Sequence, residues 1–255
     1  MWLLMFKACC IFLSCCFFAT SVAAHQQDCE MTLVVSTALE WPPYSWEVDG
    51  QYHGIDIQIL EYLFSKLNYC WQYVAYPSST RAFREFQKGN ADVIFAASLT
   101  NERRRYAVFS EPYRQEDMHL IYHINDSDVA PYSENSTIVV NRGSYYGEAF
   151  ALFKQQCPAC VIELSLAFDR LKMVDLGRIQ YAVEDMHAAE YLMITSDIHN
   201  IAIAEQSIHK NDVHFMFRPG VLTEQELKTF NETIVVNQSV IDAIDNDFVR
   251  DMMSQ

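Results

Sequence analysis

Apolar residues follow two spacings in turn along the chain, and this alternation predicts strands and helices one after another. The run MTLVVS (31–36) is typical of a buried strand, IDIQILEYLFSKL (55–67) has apolar residues at helical spacing, and WQYVAY (71–76) is strand-like again. A helix at TRAFREFQKG and a strand at ADVIFAA follow. This order indicates βαβ units, and therefore an α/β fold with a mainly parallel sheet flanked by helices.

A second series of the same kind begins near STIVVN (136–141) and includes a helix over 167–176 and another from Met186 to about Thr195. The segments YRQEDMHLIYHI and IHKNDVHFMF stand between and after the two series, where extended strands could cross from one series to the other. Two amphipathic helices near the C-terminus would return to the first series. The pattern therefore predicts two lobes joined by two strands, with a cleft between them.

These patterns also set the expected boundaries. We predict that lobe 1 is discontinuous and contains residues 25–114 and 214–255, that lobe 2 contains 119–208, and that the hinge crossings are 115–118 and 209–213.

The first 24 residues carry one lysine and a long apolar run that ends in small residues. Such a segment is typical of a cleaved secretory signal, so we expect a protein exported to the periplasm. The formal net charge of −15 argues against a nucleic-acid partner or an anionic membrane surface, since both require a basic face. Any positive charge that serves function must therefore be local.

Four cysteines remain after the signal segment, an even number in an oxidising compartment. Cys29 and Cys70 each stand just before a predicted strand, and neighbouring parallel strands would bring them close enough to bridge. Cys157 and Cys160 form a CPAC motif, which could be a redox pair. Because this motif follows a helix and precedes a strand, the reverse of the thioredoxin order, we favour a structural disulfide.

Three arginines stand together in AASLTNERRRYAVFSEPY (96–113), at a strand end where open α/β sheets bind ligands. Arg103 falls in the first turn of a short helix that Thr100 could cap, where the helix dipole disfavours a cation. We therefore expect an anion to compensate, held by the guanidinium fork of Arg103 and by Ser98. The alternative for this cluster is a set of surface ion pairs.

The order and spacing of several motifs resemble the family 3 extracellular solute-binding proteins, the periplasmic amino-acid-binding type. The resemblance covers nearly the whole chain after the signal segment. The motifs are WPPYSW (41–46), GIDIQIL (54–60), GNADVIFAASLTNER (89–103), FSEPY (109–113), NRGSYYG (141–147) and GRIQYAVED (177–185). The resemblance implies a two-lobed, type 2 periplasmic-binding fold that closes on a small ligand, an amino acid being favoured, as a monomer that delivers it to an ABC permease.

The resemblance also implies roles for individual residues. Trp41 matches the aromatic that packs on the ligand, and Ser98 with Arg103 matches the clamp on the ligand carboxylate. Ser144 and Tyr145 match the second lobe's carboxylate contacts, although Tyr145 replaces a small hydroxyl residue. Asp185 matches the acid that pairs with the ligand ammonium; it could equally cap the following helix.

Arg81 departs from the family pattern, because relatives often have an apolar residue there. A second cation at this position could favour an acidic ligand, or it could pair with Glu85 one helical turn later.

Three other functions stay open on the sequence. A ligand sensor would use the same fold with a separate membrane partner. An enzyme, such as a dehydratase, is less favoured because the chain has no GxSxG elbow and no HExxH motif, and His119 and His123 lack paired spacing with other ligands. A thiol oxidoreductase would use Cys157. We expect neither a metal nor a cofactor.

Overall fold

The structure is a computed structural model that describes residues 29–38, 40–126, 132–133 and 136–253. The predicted signal segment, residues 1–24, lies outside the described residues.

The strands form one large sheet and one small sheet. Their bounds are β1 Met31–Ala38, β2 Glu40–Trp41, β3 Ser45–Val48, β4 Gln51–His53, β5 Tyr69–Tyr76, β6 Val93–Ser98, β7 Val108–His123, β8 Ile138–Asn141, β9 Val161–Leu164, β10 Tyr181–Asp185 and β11 Ile201–Phe217.

The α-helices lie mostly between strands, as the alternating pattern predicts. Their bounds are α1 Ile55–Lys66, α2 Ser79–Gln87, α3 Gly147–Gln156, α4 Ala167–Asp175, α5 Met186–Thr195, α6 Glu224–Val236 and α7 Gln238–Met253. Helix α1 shows why the pattern works, because Ile55, Ile59 and Leu63 recur every four residues and are all buried. The short helix expected after Thr100 is only a 3-10 turn, Arg103–Arg105, since the chain must enter β7 at Val108.

The large sheet has the order β5-β1-β6-β11-β7-β10-β8-β9. At one end β1 pairs in parallel with β5 and β6, and at the other β8 pairs in parallel with β9 and β10. The long antiparallel strands β7 and β11 lie between these two groups and pair from Val108 with Phe217 to His123 with Ile201. They contain nearly all of YRQEDMHLIYHI and IHKNDVHFMF, the two segments that the sequence predicts to be extended, and their role as crossings between two lobes stays a prediction.

Separate hydrophobic clusters cover the two parallel groups. One surrounds Val35, Leu63 and Phe230, and the others lie around Leu171 and around Phe150. The small sheet, β2-β3-β4, holds Trp41 next to Tyr44, with ring centroids 4.5 Å apart. Burial of this apolar surface is the main force that holds each parallel group together.

The four cysteines that follow residue 24 are paired in the structure. Cys29 is joined to Cys70 with a Cα–Cα distance of 5.7 Å, at the start of the adjacent strands β1 and β5. Cys157 is joined to Cys160 at 5.3 Å, in the turn between α3 and β9. Both pairs therefore tie ends of elements that are already neighbours.

No helix within the described ranges is long and apolar enough to cross a membrane.

Candidate functional site

A cavity of about 130 Å³ lies between the two parallel groups of strands, beside the long strand β7. One water molecule needs only about 10–15 Å³ on a comparable measure, so the space suits a small organic molecule. The cavity lining includes five of the predicted site residues: Trp41, Ser98, Arg103, Ser144 and Tyr145. The other two predicted residues, Arg81 and Asp185, are not part of this lining.

Arg103 is a buried cation on the cavity wall, with 7% of its surface exposed. Its guanidinium donates to the carbonyl oxygens of Ser98 at 2.8 Å and Gly143 at 3.1 Å, and it stacks on the Phe83 ring at 4.2 Å. Burial lowers the pKa of this guanidinium, yet arginine stays protonated in proteins. None of the ion pairs between described residues involves Arg103. Its guanidinium contacts carbonyl oxygens and an aromatic ring, and the acids Glu116 and Glu102 act on its charge only from beyond ion-pair distance.

The side chains nearest to Arg103 are organised by hydrogen bonds. Ser98 Oγ accepts from the Asn211 side chain at 2.8 Å, and the Thr100 hydroxyl accepts from the Arg103 backbone N–H at 3.2 Å. Across the cavity, Ser144 Oγ accepts from the Asn141 amide at 2.8 Å. These contacts orient hydroxyl groups on both sides of the cavity.

A buried ion pair in the lining, between Arg170 and Glu184, was missed by sequence reasoning. Arg170, 1% exposed, forms an ion pair with Glu184 Oε2 and donates to the carbonyl oxygens of Leu164 and Ser165 at 3.0 and 2.9 Å. Trp41 Nε1 donates to the other carboxylate oxygen of Glu184 at 3.2 Å. A charged residue on the apolar face of α4 was the available signal, because Arg170 shares that face with Leu171 and Val174.

Glu116 is another buried ionisable group of the lining, with 4% of its surface exposed. Burial raises the pKa of its carboxyl group to about 8, and the negative charges of Asp185 and Asp56 add to the effect. Arg114, whose guanidinium lies 3.7 Å away, acts in the opposite direction, as does a hydrogen bond from Asn211. At neutral pH the neutral form of Glu116 is therefore favoured.

Asp185 caps α5 and is 1% exposed. Its Oδ1 accepts from the Tyr44 hydroxyl at 2.7 Å and from the backbone N–H of His187 at 3.0 Å, and its Oδ2 accepts from the backbone N–H of Asp117 at 3.0 Å. The structure thus shows the capping role that the sequence left open as an alternative. The ammonium-binding role of Asp185 stays a prediction.

The Tyr44 ring packs against a buried ion pair between Arg114 and Asp56. The Arg114 guanidinium lies 3.9 Å from the centre of the Tyr44 ring and binds Asp56 through two hydrogen bonds of 2.6 and 2.7 Å. The Tyr113 hydroxyl also donates to Asp56, at 2.8 Å. Sequence reasoning did not find the bond between Tyr44 and Asp185, because the two residues are 141 positions apart.

Arg81 lies on α2 away from the cavity lining. Its guanidinium pairs with Glu85 at 3.0 Å, and 49% of its side chain is exposed. This contact is the helical pair that the sequence offered as the alternative to ligand binding.

The family model for bacterial extracellular solute-binding proteins, family 3, matches residues 33–232. The chain belongs to this family. Family 3 proteins are periplasmic or secreted, and they bind small solutes. The expectation from the sequence motifs is therefore confirmed for the family and for the class of protein.

Solved structures with the same fold match 85–86% of this chain. A histidine kinase sensor domain with similarity to periplasmic binding proteins gives a TM-score of 0.76 at 17% identity, over 85% of this chain and 95% of that one. An ancestral arginine-binding protein gives 0.74 at 19% identity, over 85% and 97%. An arginine transport-system periplasmic binding protein from Legionella pneumophila gives 0.72 at 18% identity, over 86% and 99%.

At these low identities the structural matches show the fold and nothing more. The fold is a type 2 periplasmic-binding fold, which confirms the predicted fold class. No curated protein matches this chain in sequence.

Proposed function

We propose that this protein binds a small carboxylate-bearing solute in the cavity, with Arg103 as the main anchor. The observation that carries the proposal is a buried guanidinium on the cavity wall that has no carboxylate partner among the described residues. A buried cation is costly unless an anion pairs with it, and a ligand carboxylate would match its planar fork. Ser98 and Ser144 offer hydroxyl donors beside it.

Binding would take place between two lobes that close around the solute. We propose the lobe limits 25–114 with 214–255 and 119–208, joined at 115–118 and 209–213, after export through the segment 1–24. In support, β7 and β11 cross the middle of the sheet at these hinge positions. Closure would shield the charged contacts from water and so strengthen them.

After binding, the protein would present the solute to a membrane partner, an ABC permease in the first instance. In support, the similar structure from Legionella pneumophila is named as a binding protein of an arginine transport system. The family resemblance of the sequence motifs favours an amino acid as the solute. This function needs neither catalysis nor a cofactor, and the protein would act as a monomer.

Sensing is the second candidate function. It is favoured by the sensor-domain neighbour, with its TM-score of 0.76, and by a second neighbour that is a domain of Bordetella pertussis BvgS. Catalysis is less favoured, although one neighbour is an ancestral amino-acid-binding precursor of cyclohexadienyl dehydratase. Transport and sensing share the same ligand site, so one binding experiment serves both.

The test is a thermal-shift screen of the exported protein against amino acids and small organic acids, after bound molecules have been removed by unfolding and refolding. A true ligand at a hundredfold excess over its Kd should stabilise the fold by about 2.7 kcal/mol. Arg103→Ala should abolish the shift, whereas Arg104→Ala should keep it, because Arg104 is exposed on the same turn. The proposal fails if no compound shifts the wild-type transition, or if the Arg103 variant responds like wild type.

A further inference from the structure

We infer that Glu116, rather than Asp185, is the acid that pairs with the ammonium group of an amino-acid ligand. This inference rests on the proposed function, and it assigns the second charged contact of the ligand to a residue on β7. It follows from where the acids near the cavity lie and from the hydrogen bonds that each of them already forms.

The Glu116 side chain faces the cavity. Glu116 and Met118 both line it, as expected for residues two positions apart on a strand. Asp117 stands between them, outside the lining, and pairs instead with Lys210 at 3.0 Å. Only 4% of the Glu116 surface is exposed. The cavity wall therefore contains a buried carboxyl group at the middle of the large sheet.

Glu116 has capacity left for a cation. Among the described residues, only Arg114 lies within ion-pair distance, and its nearest nitrogen is 3.7 Å from Glu116 Oε1, too far for a hydrogen bond. That guanidinium already binds both oxygens of Asp56, at 2.6 and 2.7 Å. The other contact of Glu116 is a hydrogen bond from the Asn211 side chain. A carboxylate can accept about four hydrogen bonds, so positions for an ammonium remain.

The ion pairs around the cavity leave one cation and one acid on its wall. Two buried pairs are complete in themselves, Arg170 with Glu184 and Arg114 with Asp56. Arg103 and Glu116 remain, and they act on each other only from beyond ion-pair distance. A ligand with a carboxylate for Arg103 and an ammonium for Glu116 would give both buried groups a partner.

Asn211 and Ser98 hold these two groups near each other without letting them meet. Arg103 donates to the Ser98 carbonyl oxygen at 2.8 Å, and Ser98 Oγ accepts from the Asn211 amide at 2.8 Å. Asn211 also faces Glu116 in the register of β7 with β11 and hydrogen-bonds to its carboxyl group. An α-amino acid carries its carboxylate and its ammonium on one carbon, so it needs two such partners close together but apart.

The remaining acids are less suited to an ammonium. Asp185 lies outside the lining, and its oxygens already accept from the Tyr44 hydroxyl and from the backbone N–H groups of Asp117 and His187. As the N-cap of α5 it also interacts favourably with the helix dipole. Its charge is therefore satisfied without a ligand. Glu40 lines the cavity but is exposed, so water weakens any pair that it forms.

The experiment measures amino-acid affinity in variants of the competing acids. The standard L-amino acids are titrated one at a time by calorimetry into the refolded exported protein, and the tightest binder is then titrated into each variant. We expect Glu116→Gln to weaken that binding by at least about tenfold, or 1.4 kcal/mol, because glutamine offers no charge to the ammonium. Glu111→Gln is the matched control: it makes the same change at an exposed position of β7, and the affinity should not change.

The outcomes separate the inference from the proposed function. If Asp185→Asn weakens the binding more than Glu116→Gln does, or if Glu116→Gln binds like wild type, the inference is overturned. The proposed function then still stands when Arg103→Ala abolishes the binding. The same conclusion follows if propanoate or 4-methylpentanoate binds through Arg103 while no amino acid binds. If no amino acid and neither acid binds, both the inference and the proposed function are overturned.

Proton release on binding is a second readout, which a merely structural role of Glu116 would not produce. Burial raises the pKa of Glu116 to about 8, so its carboxyl group is mostly protonated at pH 7 and should lose that proton when it pairs with an ammonium. Titrations at pH 7 in two buffers of different ionisation enthalpy should show release of most of one proton in wild type and far less in Glu116→Gln. Equal release in the two proteins would contradict the inference. The groups that act on Glu116 are Arg114 on β7, Asp56 on α1, Asp185 at the end of β10, Asn211 on β11 and Arg103 after β6.

Discussion

Glu116 is a carboxyl group in an environment that disfavours its charge. It is buried on β7, with the acids Asp56 and Asp185 nearby, and the Arg114 guanidinium that could balance it already binds Asp56. These surroundings raise its pKa to about 8. A group of this kind lowers the stability of the fold once the pH is high enough to ionise it in the unfolded chain.

Glu116→Gln should therefore change how stability depends on pH. The folded-state pKa of Glu116 is raised from 4.5 to about 8, so between these values the folded state binds more protons than the unfolded state. Wild-type stability should fall through this window relative to the variant, by at most about 1.4 kcal/mol per pH unit. Urea unfolding of both proteins at several pH values measures the difference. A difference that does not vary from pH 5 to pH 8 would contradict the prediction.

At the scale of elements, the Asp185 carboxylate at the junction between β10 and α5 forms hydrogen bonds with several elements. Asp185 caps α5, binds the backbone of β7 through Asp117 and binds Tyr44 in the turn between β2 and β3. This residue therefore links β10 and α5 to the long strand β7 and to the small sheet.

Asp185→Ala should destabilise the protein by about 3 kcal/mol, because it removes a helix cap and hydrogen bonds to a buried charge. Asp185→Asn should cost less, since asparagine can still cap α5 and accept from Tyr44. Asp169→Ala is the matched control, an exposed acid in the first turn of α4, with an expected cost below about 1 kcal/mol. Urea unfolding followed by tryptophan fluorescence ranks the three variants, and an equal cost for both alanine variants would refute the assignment.

The two disulfides should contribute very differently. Cys29 and Cys70 are 41 positions apart, and closing such a loop reduces the entropy of the unfolded chain by an amount worth about 4 kcal/mol. Cys157 and Cys160 are only 3 positions apart, so their bond constrains little. Replacing the first pair by serines should lower the free energy of unfolding far more than replacing the second. Thermal unfolding of the two double variants gives the comparison, and equal losses would count against this account.

Across the whole molecule, a few contacts join the two predicted lobes. Trp41 donates to Glu184 at 3.2 Å, and Arg103 donates to the Gly143 carbonyl at 3.1 Å. Gly143 also approaches α2 closely: a Cβ there would lie 2.6 Å from the Thr80 hydroxyl oxygen and 2.9 Å from its backbone nitrogen. The lobes can meet in this way because position 143 has no side chain.

Gly143→Ala should hold the lobes apart. The added methyl group would clash with the Thr80 backbone, so the radius of gyration from small-angle X-ray scattering should rise and ligand affinity should fall by at least about tenfold, or 1.4 kcal/mol. Gly220→Ala is the matched control, because Gly220 has a similar φ of +83° against +88° but no atom within 4 Å of the added Cβ. Equal dimensions and affinities in the two variants would exclude the steric explanation.

Local patterns predicted much of the element order. The helices expected over 55–67 and 167–176 appear as Ile55–Lys66 and Ala167–Asp175, because four-residue spacing of apolar side chains is a local property of the chain. The fold class and the family are confirmed as well. The helix after Thr100 is shorter than expected, since its length depends on where β7 joins the sheet.

The sequence by itself therefore determined the elements, the α/β class and a cation at a strand end, all of which depend on neighbours along the chain. Only the tertiary structure decided which of the two adjacent acids, Glu184 and Asp185, lines the cavity: Glu184 does and Asp185 does not. Glu184 and Asp185 are adjacent in sequence and leave the strand in different directions, and their partners Trp41 and Tyr44 lie more than a hundred positions away. Packing between distant elements determines those partners, and with them the charge that a ligand meets.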